Sequence, residues 1–274
     1  MKILFVASES VPFVDAIKEI GHDIRILEPR CEAITPFIKE NDWLPNIVHC
    51  YGPQSPPIVQ FIRQQRELDP SFKHTAVVFT IDDAYAQLDS VKFAVESADV
   101  TSAVIDGIDY DIWNPAKDTN IARRYNKNTL SLKAINKKAL QERAGSAVDE
   151  SVPLVAVRSC SDELVEEMKA LGCQVIMLAK INPNLAFAGA DIFLIPANDK
   201  LAYMDQLIAY KYGTLPVEFG QDVIVALKKA IKEFQNKPIW QRRQQEMMMY
   251  DYSWADSAKK YISLYMKAFD KVLT

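Results

Sequence analysis

The sequence predicts an α/β fold with two groups of parallel strands. Short apolar runs that are continuous and rich in β-branched residues are typical of strands buried on both faces of a sheet. Helical patterns lie between many of these runs, and alternation of strand and helix is typical of the α/β class. A basic segment without strand character separates the two groups, which indicates a domain junction.

Eight runs are predicted to be strands. They are Lys2 to Ala7, Asp23 to Leu27, Ile47 to Cys50, Ala76 to Ile81, Leu154 to Val157, Gln174 to Leu178, Ile192 to Ile195 and Leu215 to Val217. Two of the predicted helices, Phe13 to Ile20 and Glu163 to Leu171, are followed by Gly21 and Gly172, where a helix C-cap favours glycine. A third helix, Ile58 to Arg66, follows a Pro-Pro pair.

Four segments are therefore predicted along the chain. Residues 1–116 form a first domain, 117–150 a basic helical connector, 151–253 a second domain and 254–274 a final helix. We expect the basic residues of the connector to form a solvated helical face, although such a run could also bind an anionic partner. Apolar residues recur at three- and four-residue spacing in the final helix, so one of its faces must pack on another element.

The composition excludes several classes of protein. With 49% hydrophobic and 25% charged residues and a formal net charge of −4, the chain is typical of soluble globular proteins, and no nucleic-acid partner is expected. The first apolar stretch ends at Ser8, too early for a signal segment or a membrane span, so we expect a cytoplasmic protein without a membrane partner. Four scattered cysteines without a C-x-x-C pair favour reduced thiols over a metal site, and no cofactor is expected.

Glycine is scarce in this sequence. The chain has 8 glycines, whereas an average usage of about 7% predicts roughly 19 in this length. Backbones that wrap phosphate groups need glycine, and neither the dinucleotide fingerprint nor the phosphate-binding loop can be written from these eight.

Several strings along the chain are characteristic of one enzyme family. They are MKILFVASESVPFV, GHDIRILEPR, NIVHC, VVFTI, GIDYDIWNPA, NKKALQER, AGADIFLIPA, QLIAYKYGTLPV and YDYSWADSAKKYISLY. In this order they resemble bacterial glycogen synthase and the plant starch synthases, and they span most of the chain. The resemblance implies two Rossmann-like domains of GT-B type, reduced in size, with a final helix that crosses back to the first domain. It also implies that ADP-glucose binds the second domain and an α-1,4-glucan the first.

The first domain departs from the family's pattern at its ligand loops. The family follows the VPFV-like string with a lysine and paired glycines that contact the sugar-nucleotide phosphates, whereas here Val14 runs directly into Asp15. The family continues after the VHC string with His-Asp-Trp, where this chain begins with Tyr51. The His-Asn that follows the FTI string is replaced by Asp82 and Asp83.

The second domain departs in the same way. Arg158 occupies the position of the family's phosphate-binding arginine, but the lysine and glycine that follow it are missing. Lys200 stands where the family has a glutamate, and a further glycine pair after Val217 is replaced. Each donor to a departing diphosphate or to the reacting sugar contributes about 3–4 kcal/mol, so the loss of several predicts only a trace of transfer.

Seven residues are candidates for a site, each with a structural alternative. Glu9 and His49 are the catalytic candidates; Glu9 could instead be a solvated carboxylate and His49 a structural histidine. Arg158 and Lys200 are the nucleotide-sugar-binding candidates; Arg158 could instead belong to an ion pair, and an exposed Lys200 needs no ligand. The remaining candidates, assigned to the cleft between the domains, are Tyr51, Asp82 and Asp83. The two aspartates could equally be turn or N-cap residues.

Three hypotheses of function follow. The first is a glycogen or starch synthase-like protein of α-glucan metabolism that has lost all or nearly all glucosyl transfer and binds glucan, nucleotide sugar or an active enzyme subunit. The second is an active glucosyltransferase that uses ADP-glucose. The third is a structural or interaction protein whose cleft is closed and whose trimmed surfaces form an oligomer interface.

Overall fold

The computed structural model describes residues 1–8, 11–81, 87–103, 107–196, 200–219 and 222–274, and the side chains of residues 196, 200–202 and 219 lie outside this description. The strands are β1 Lys2–Val6, β2 Asp23–Leu27, β3 Ile47–Tyr51, β4 Ala76–Ile81, β5 Val100–Ala103, β6 Leu154–Val157, β7 Gln174–Met177, β8 Ile192–Pro196 and β9 Leu215–Phe219. The helices are α1 Phe13–Glu19, α2 Cys31–Glu40, α3 Pro56–Leu68, α4 Asp89–Ser97, α5 Lys133–Arg143, α6 Asp162–Ala170, α7 Pro183–Gly189, α8 Lys200–Lys211, α9 Val223–Gln235, α10 Lys237–Met249 and α11 Trp254–Leu273. Short 3₁₀ turns cover Pro70–His74, Leu130–Leu132 and Leu178–Lys180.

These elements form two compact units. The first contains Met1–Gly107 and Trp254–Thr274, and the second contains Ile108–Ser253. The first unit is built on a five-stranded parallel sheet in the order β2-β1-β3-β4-β5, and the second on a four-stranded parallel sheet in the order β7-β6-β8-β9. The α/β class predicted from the alternation of apolar runs and helical patterns is confirmed.

All eight predicted strands are present, with ends that differ by at most two residues from the prediction. The fifth strand of the first sheet, β5, was not predicted. Only Val100 is buried in it, and Thr101 and Ser102 are half-buried, so this edge strand lacks the continuous apolar run that identifies the others.

The first sheet is covered on both faces. Ile3 and Phe5 of β1 pack in a cluster with α1 and α11, whereas Leu4 and Val6 pack in a second cluster with α2, α3 and α4. Successive side chains of a strand point to opposite faces, so a strand with helices on both sides must be apolar at every position. This requirement explains the unbroken run at the start of the sequence.

The last helix packs within the first unit through one apolar face. Ala258, Tyr261 and Tyr265 are buried at three- and four-residue spacing, and Tyr261 stacks on Phe13 with ring centroids 4.3 Å apart. The sequence prediction of a helix with a single buried face is confirmed.

The basic segment 117–150 is not a connector, because it is built into the second unit. The unit begins at Ile108, whose amide donates to the carbonyl oxygen of Tyr252 at 2.7 Å, so the boundary lies before residue 116. Lys133 and Lys137, predicted to be part of a solvated face, are buried on α5. Lys137 donates to the backbone carbonyl oxygens of Glu150 and Val152, which ties the chain that follows α5 to this helix.

Two glycines have the role that the sequence predicts. Gly21 follows α1 with φ 89°, and Gly172 follows α6 with φ 81°. These angles lie in the left-handed region, where glycine lacks the steric penalty of other residues. Both glycines therefore serve helix termination.

Within the described part of the chain, none of the helices combines the length and the apolar character needed to cross a lipid bilayer.

Candidate functional site

The carboxyl edge of the second sheet is the place where a ligand is expected. Open parallel sheets bind ligands beyond the carboxyl ends of their strands, and Arg158 directly follows β6, a central strand of this sheet. It is also the residue that the sequence singled out as an anion binder.

Arg158 forms an ion pair with Asp205 of α8. Its Nε donates to one carboxylate oxygen of Asp205 and its Nη2 donates to the other. The side chain of Asp205 is fully buried, whereas that of Arg158 is 39% exposed. A bidentate pair of this kind is geometrically specific. The carboxylate of the protein itself neutralises the charge of the guanidinium. Arg158 is therefore a member of an ion pair, which is the structural alternative that the sequence analysis gave for it.

The segment after Arg158 adds negative rather than positive charge. Ser161 caps helix α6, its Oγ accepting from the amide of Leu164 at 3.3 Å. Asp162 and Glu163 occupy the first turn of this helix and are exposed. A helix N-terminus attracts anions, but here two carboxylates of the chain itself already occupy that position.

Four other candidates fall wholly or partly outside the described structure. Glu9, Asp82 and Asp83 are not among the described residues. Lys200 is the first residue of α8, but its side chain lies outside the description. The roles suggested for these residues stay predictions.

His49 lies in the core of the first unit. It is fully buried on β3, with its Nδ1 2.7 Å from the hydroxyl of Tyr265 and its Nε2 2.8 Å from Oγ1 of Thr80. Burial lowers the pKa of His49 to about 3, so the ring is neutral at physiological pH. Thr80 in turn lies 3.1 Å from the hydroxyl of Ser102 on β5. A buried ring with both nitrogens engaged cannot touch a substrate in this conformation, so the geometry favours the structural alternative for His49.

Tyr51 ends the same strand and is half-buried in an aromatic cluster. Its ring centroid lies 5.6 Å from that of Phe5, 6.3 Å from that of His49 and 6.4 Å from that of Phe13. The ring therefore contributes to packing between the sheet and α1.

The sequence did not single out Asp205, although it contained a signal. Asp205 shares a helix face with the buried residues Ile208, Ala209 and Tyr212. A carboxylate at the spacing of a buried apolar face needs a cationic partner. Only the tertiary structure shows which cation is this partner.

The cysteines and acidic residues have no feature of a metal site in the part of the chain that the structure describes. No group of three or more His, Cys, Asp and Glu side chains is placed there to hold an ion. Burial raises the pKa of the Cys173 thiol to about 11, which makes it a protonated core residue at neutral pH.

Sequence comparisons identify relatives with one recurring name. No protein-family model matches the chain. The glycogen synthase of Geotalea daltonii is 24% identical over 359 residues, covering 86% of this chain and 74% of the relative. That of Thermotoga petrophila is 26% identical over 367 residues, covering 88% and 76%. That of Chlorobium phaeobacteroides is 30% identical over 230 residues, covering 61% and 47%.

The first two alignments are longer than the 274 residues of this chain, so each relative has internal segments that this chain lacks. The resemblance to glycogen synthases, in a shortened form, is therefore confirmed over most of the sequence.

Solved structures show the same fold. The catalytic domain of starch synthase IV from Arabidopsis thaliana, bound to ADP and acarbose, is similar with a TM-score of 0.73 at 15% identity, covering 98% of this chain and 99% of that one. The sucrose-phosphate synthase of Thermosynechococcus elongatus is similar with a TM-score of 0.58 at 12% identity, covering 99% and 100%. The chain thus has two Rossmann-like domains of the GT-B type, in reduced size.

Proposed function

We propose that this chain is a glycogen synthase-like protein of α-glucan metabolism in which glucosyl transfer from ADP-glucose is lost or very weak and a binding or regulatory role remains. It would act in the cytoplasm without a cofactor. Its ligands would be an α-glucan or a nucleotide sugar, and its protein partner an active enzyme of glycogen metabolism or a second copy of the chain.

The ion pair between Arg158 and Asp205 is the observation that carries this proposal. Departure of a nucleoside diphosphate leaves negative charge that a transferase must stabilise with preorganised cations and donors. At the expected position the described side chains offer one guanidinium, and that guanidinium already binds a carboxylate of its own fold. The pair has no net charge, so its attraction for a diphosphate is much weaker than that of an isolated arginine.

Two further features of the same edge support the proposal. The first turn of α6 presents Asp162 and Glu163, which repel a diphosphate placed next to Arg158. The chain also has few glycines with which to build a new phosphate loop, because at least five of the eight, all among the described residues, hold left-handed turn conformations. A donor site of ordinary strength would have to be built from other groups.

A transfer assay tests the catalytic half of the proposal. Purified protein is incubated with radiolabelled ADP-glucose and glycogen, with the glycogen synthase of Geotalea daltonii as the positive control. We expect incorporation at the level of the blank. Turnover in the range of ordinary enzymes, about 1–10³ per second, would overturn this half and favour the active glucosyltransferase.

Binding measurements test the other half. Calorimetric titration with a short maltooligosaccharide and with ADP-glucose is expected to give a saturable heat for the oligosaccharide and a weak one or none for ADP-glucose. Sedimentation velocity with and without an active glycogen synthase reports association with that enzyme or with a second copy. If the chain binds neither ligand and no enzyme, the proposed binding role is wrong; self-association alone would then favour the structural hypothesis.

A further inference from the structure

Four tyrosines form a strip on the surface of the second unit. Tyr210 of α8 stacks on Tyr252, with ring centroids 5.6 Å apart and an angle of 25° between the ring planes. The ring of Tyr250 lies 6.3 Å from that of Tyr252 and is tilted by 52° against it. Tyr203 lies on the same face of α8 as Tyr210, seven residues and therefore about 10 Å away along the helix. We call Tyr203, Tyr210, Tyr250 and Tyr252 the tyrosine strip.

The rings of the tyrosine strip are partly open to solvent. Tyr250 is 68% exposed, more than any other aromatic side chain in the described part of the chain, and Tyr203 is 45% exposed. Tyr210 and Tyr252 are half-buried. Single exposed apolar side chains are ordinary, whereas several that adjoin one another mark a surface that binds something.

Hydrogen bonds fix the backbone that carries the tyrosine strip. The amide of Tyr252 donates to the hydroxyl of Tyr110 at 2.7 Å, and its carbonyl oxygen accepts from the amide of Ile108 at 2.7 Å. The side chain of Asp251 accepts from the amide of Ser253 at 2.9 Å. Because these bonds form without a ligand, a ligand that packs on the rings has little of this segment left to order.

The charged residues next to Tyr252 balance each other. The ammonium of Lys211 lies 3.8 Å from the ring centroid of Tyr110, the residue that holds the amide of Tyr252. Burial lowers the pKa of Lys211, and the negative charge of Asp251 opposes this effect. This cation and this anion together have no net charge, so they give no preference to an ionic ligand.

A sugar chain fits a neutral aromatic surface with polar groups. Each pyranose ring has a face of C–H groups that packs on an aromatic ring, and its hydroxyls need hydrogen-bonding partners at the rim. Tyrosine supplies both an apolar ring and a polar hydroxyl. The amide of Gln206, which donates to the hydroxyl of Tyr210 at 3.1 Å, adds a further polar group to the strip.

The size of the tyrosine strip favours a narrow ligand over a second copy of the chain. A stable protein interface buries about 800 Å² on each partner, and one aromatic side chain contributes about 150–250 Å² when it is fully buried. The four rings are already partly covered, so they offer less than a protein partner needs.

The tilt of the rings favours an α-linked sugar chain. The α-1,4 linkage turns each glucose residue against the one before it, so the chain curves, whereas a β-1,4 chain is flat and extended. Tyr250 and Tyr252 are not coplanar, and their 52° tilt matches a curved chain.

We propose that the tyrosine strip is a binding surface for an α-1,4-glucan, with one glucose ring packed on Tyr250 and its neighbours along Tyr252 and Tyr210. This inference rests on the proposed function, which gives an α-glucan as a ligand, and it adds the place where that glucan is held. The strip belongs to the second unit, whereas the family resemblance assigns the glucan to the first domain.

Calorimetric titration of the full chain with maltoheptaose, and separately with cellohexaose, tests the choice of ligand. We expect a saturable heat with the α-linked oligosaccharide and a much weaker one with the β-linked oligosaccharide. Equal affinity for the two would overturn the assignment to an α-glucan. If the wild type does not bind maltoheptaose, this inference fails together with the glucan-binding part of the proposed function.

Variants locate the binding. Tyr250→Ala should weaken the affinity for maltoheptaose by roughly three- to tenfold, because one ring contact is lost, and Tyr250→Phe should keep most of the affinity. Tyr203→Ala provides a second variant, with a smaller expected loss. Phe93→Ala is the matched control, because it removes a 46% exposed ring from α4 of the first unit and should leave the affinity unchanged.

The variants also separate this inference from the proposed function. If the wild type binds maltoheptaose and neither Tyr250→Ala nor Tyr203→Ala weakens the binding, the glucan is held elsewhere. The proposed function would then stand, and the assignment to the tyrosine strip would be wrong. A loss in Phe93→Ala as large as that in Tyr250→Ala would contradict the assignment as well.

Discussion

The guanidinium of Arg158 and the carboxylate of Asp205 are joined by two hydrogen bonds, and the carboxylate is completely buried while the arginine side chain remains 39% exposed. The acid therefore has no access to water, and the arginine offsets part of the cost of burying its charge. A phosphate that competed for Arg158 would leave the buried Asp205 without this cation. We expect this energetic conflict to weaken anion binding at the carboxyl edge.

Neutralising Asp205 should strengthen the binding of ADP. In Asp205→Asn the guanidinium of Arg158 no longer faces a carboxylate, so its charge becomes available to the diphosphate. A charge-assisted hydrogen bond contributes about 1.5–3 kcal/mol, which corresponds to an affinity gain of roughly tenfold or more. Calorimetric titration with ADP measures this change in wild type and variant.

The double variant Arg158→Ala with Asp205→Asn is the control for this experiment. It removes the same carboxylate but also the cation, so the gain in ADP affinity should vanish. An equal gain in the single and double variants would show that Arg158 does not contact the nucleotide.

Acidification should destabilise the fold through His49. Burial holds the pKa of His49 at about 3 in the folded state, against 6.5 for an ordinary histidine. The unfolded chain therefore takes up a proton as the pH falls through about 6.5, whereas the folded chain does not until about pH 3. The free energy of unfolding should fall over this window with a slope that approaches about 1.4 kcal/mol per pH unit from this residue.

Urea unfolding at several pH values between 7 and 4 measures the slope. His49→Gln, which keeps hydrogen-bonding groups for Tyr265 and Thr80, should have a smaller slope than wild type. His74→Gln is the matched control, because His74 is exposed and bonds only the carbonyl oxygen of Val272 in the described structure. Identical slopes for all three proteins would contradict the assignment of this proton to His49.

Removal of the buried ammonium of Lys133 should destabilise the second unit. Lys133 connects α5 to the carbonyl oxygens of Phe187 and Ala188 at the end of α7 and to that of Tyr212 just beyond α8. In Lys133→Met these buried acceptors lose a donor, although the desolvation cost of a buried charge is also removed. We expect a net loss of about 1–3 kcal/mol in the free energy of unfolding.

Lys138→Met, on the same helix, is the control variant. Chemical denaturation measures the free energy of unfolding of both variants. The side chain of Lys138 is 64% exposed, and its ammonium lies 3.8 Å from the carboxylate of Glu142. An exposed pair of this kind contributes well under about 1 kcal/mol. Equal stability of the two variants would show that the buried hydrogen bonds of Lys133 make no net contribution.

Gly189 should not tolerate a methyl group. A Cβ built on this last residue of α7 would lie 2.7 Å from the carbonyl oxygen of Asn136 and 2.7 Å from the Cβ of Leu140, both on α5. Helix α5 would have to move away, and overpacking of this kind costs about 1–3 kcal/mol. Thermal unfolding measures the effect, and we expect a lower midpoint for Gly189→Ala than for wild type.

Gly145→Ala is the control that separates the cost of a Cβ contact from the cost of a left-handed backbone conformation. A Cβ at Gly145 meets nothing within 4 Å, but the residue has φ 68°. Only the cost of the left-handed conformation, roughly 1–2 kcal/mol, is expected there. Gly189→Ala should therefore lower the thermal midpoint more than Gly145→Ala does; an equal or smaller loss at Gly189 would show that the close approach of α5 and α7 is not the cause.

Local sequence patterns were sufficient to predict the class and eight of the nine described strands. A strand with helices on both sides is apolar at every position. A run such as Ile3 to Val6 can therefore be recognised as a strand without knowledge of the rest of the fold. Positive φ at Gly21 and Gly172 likewise follows from a local requirement of helix termini. The edge strand β5 escaped prediction because an edge position does not demand this apolar character.

The sequence by itself determined eight of the nine described strands and four of the described helices, and it predicted that a phosphate-binding loop is missing, because these features depend on residue types close together in the chain. Only the tertiary structure decided what Arg158 binds, since Asp205 is 47 positions away, and what surrounds His49, since Tyr265 is 216 positions away. It also decided that Lys133 and Lys137 are buried, against the expectation from their basic segment. The physical reason is that the state of a charged or polar side chain depends on the surfaces that the fold brings around it, and the sequence order of those surfaces does not reveal which ones will meet.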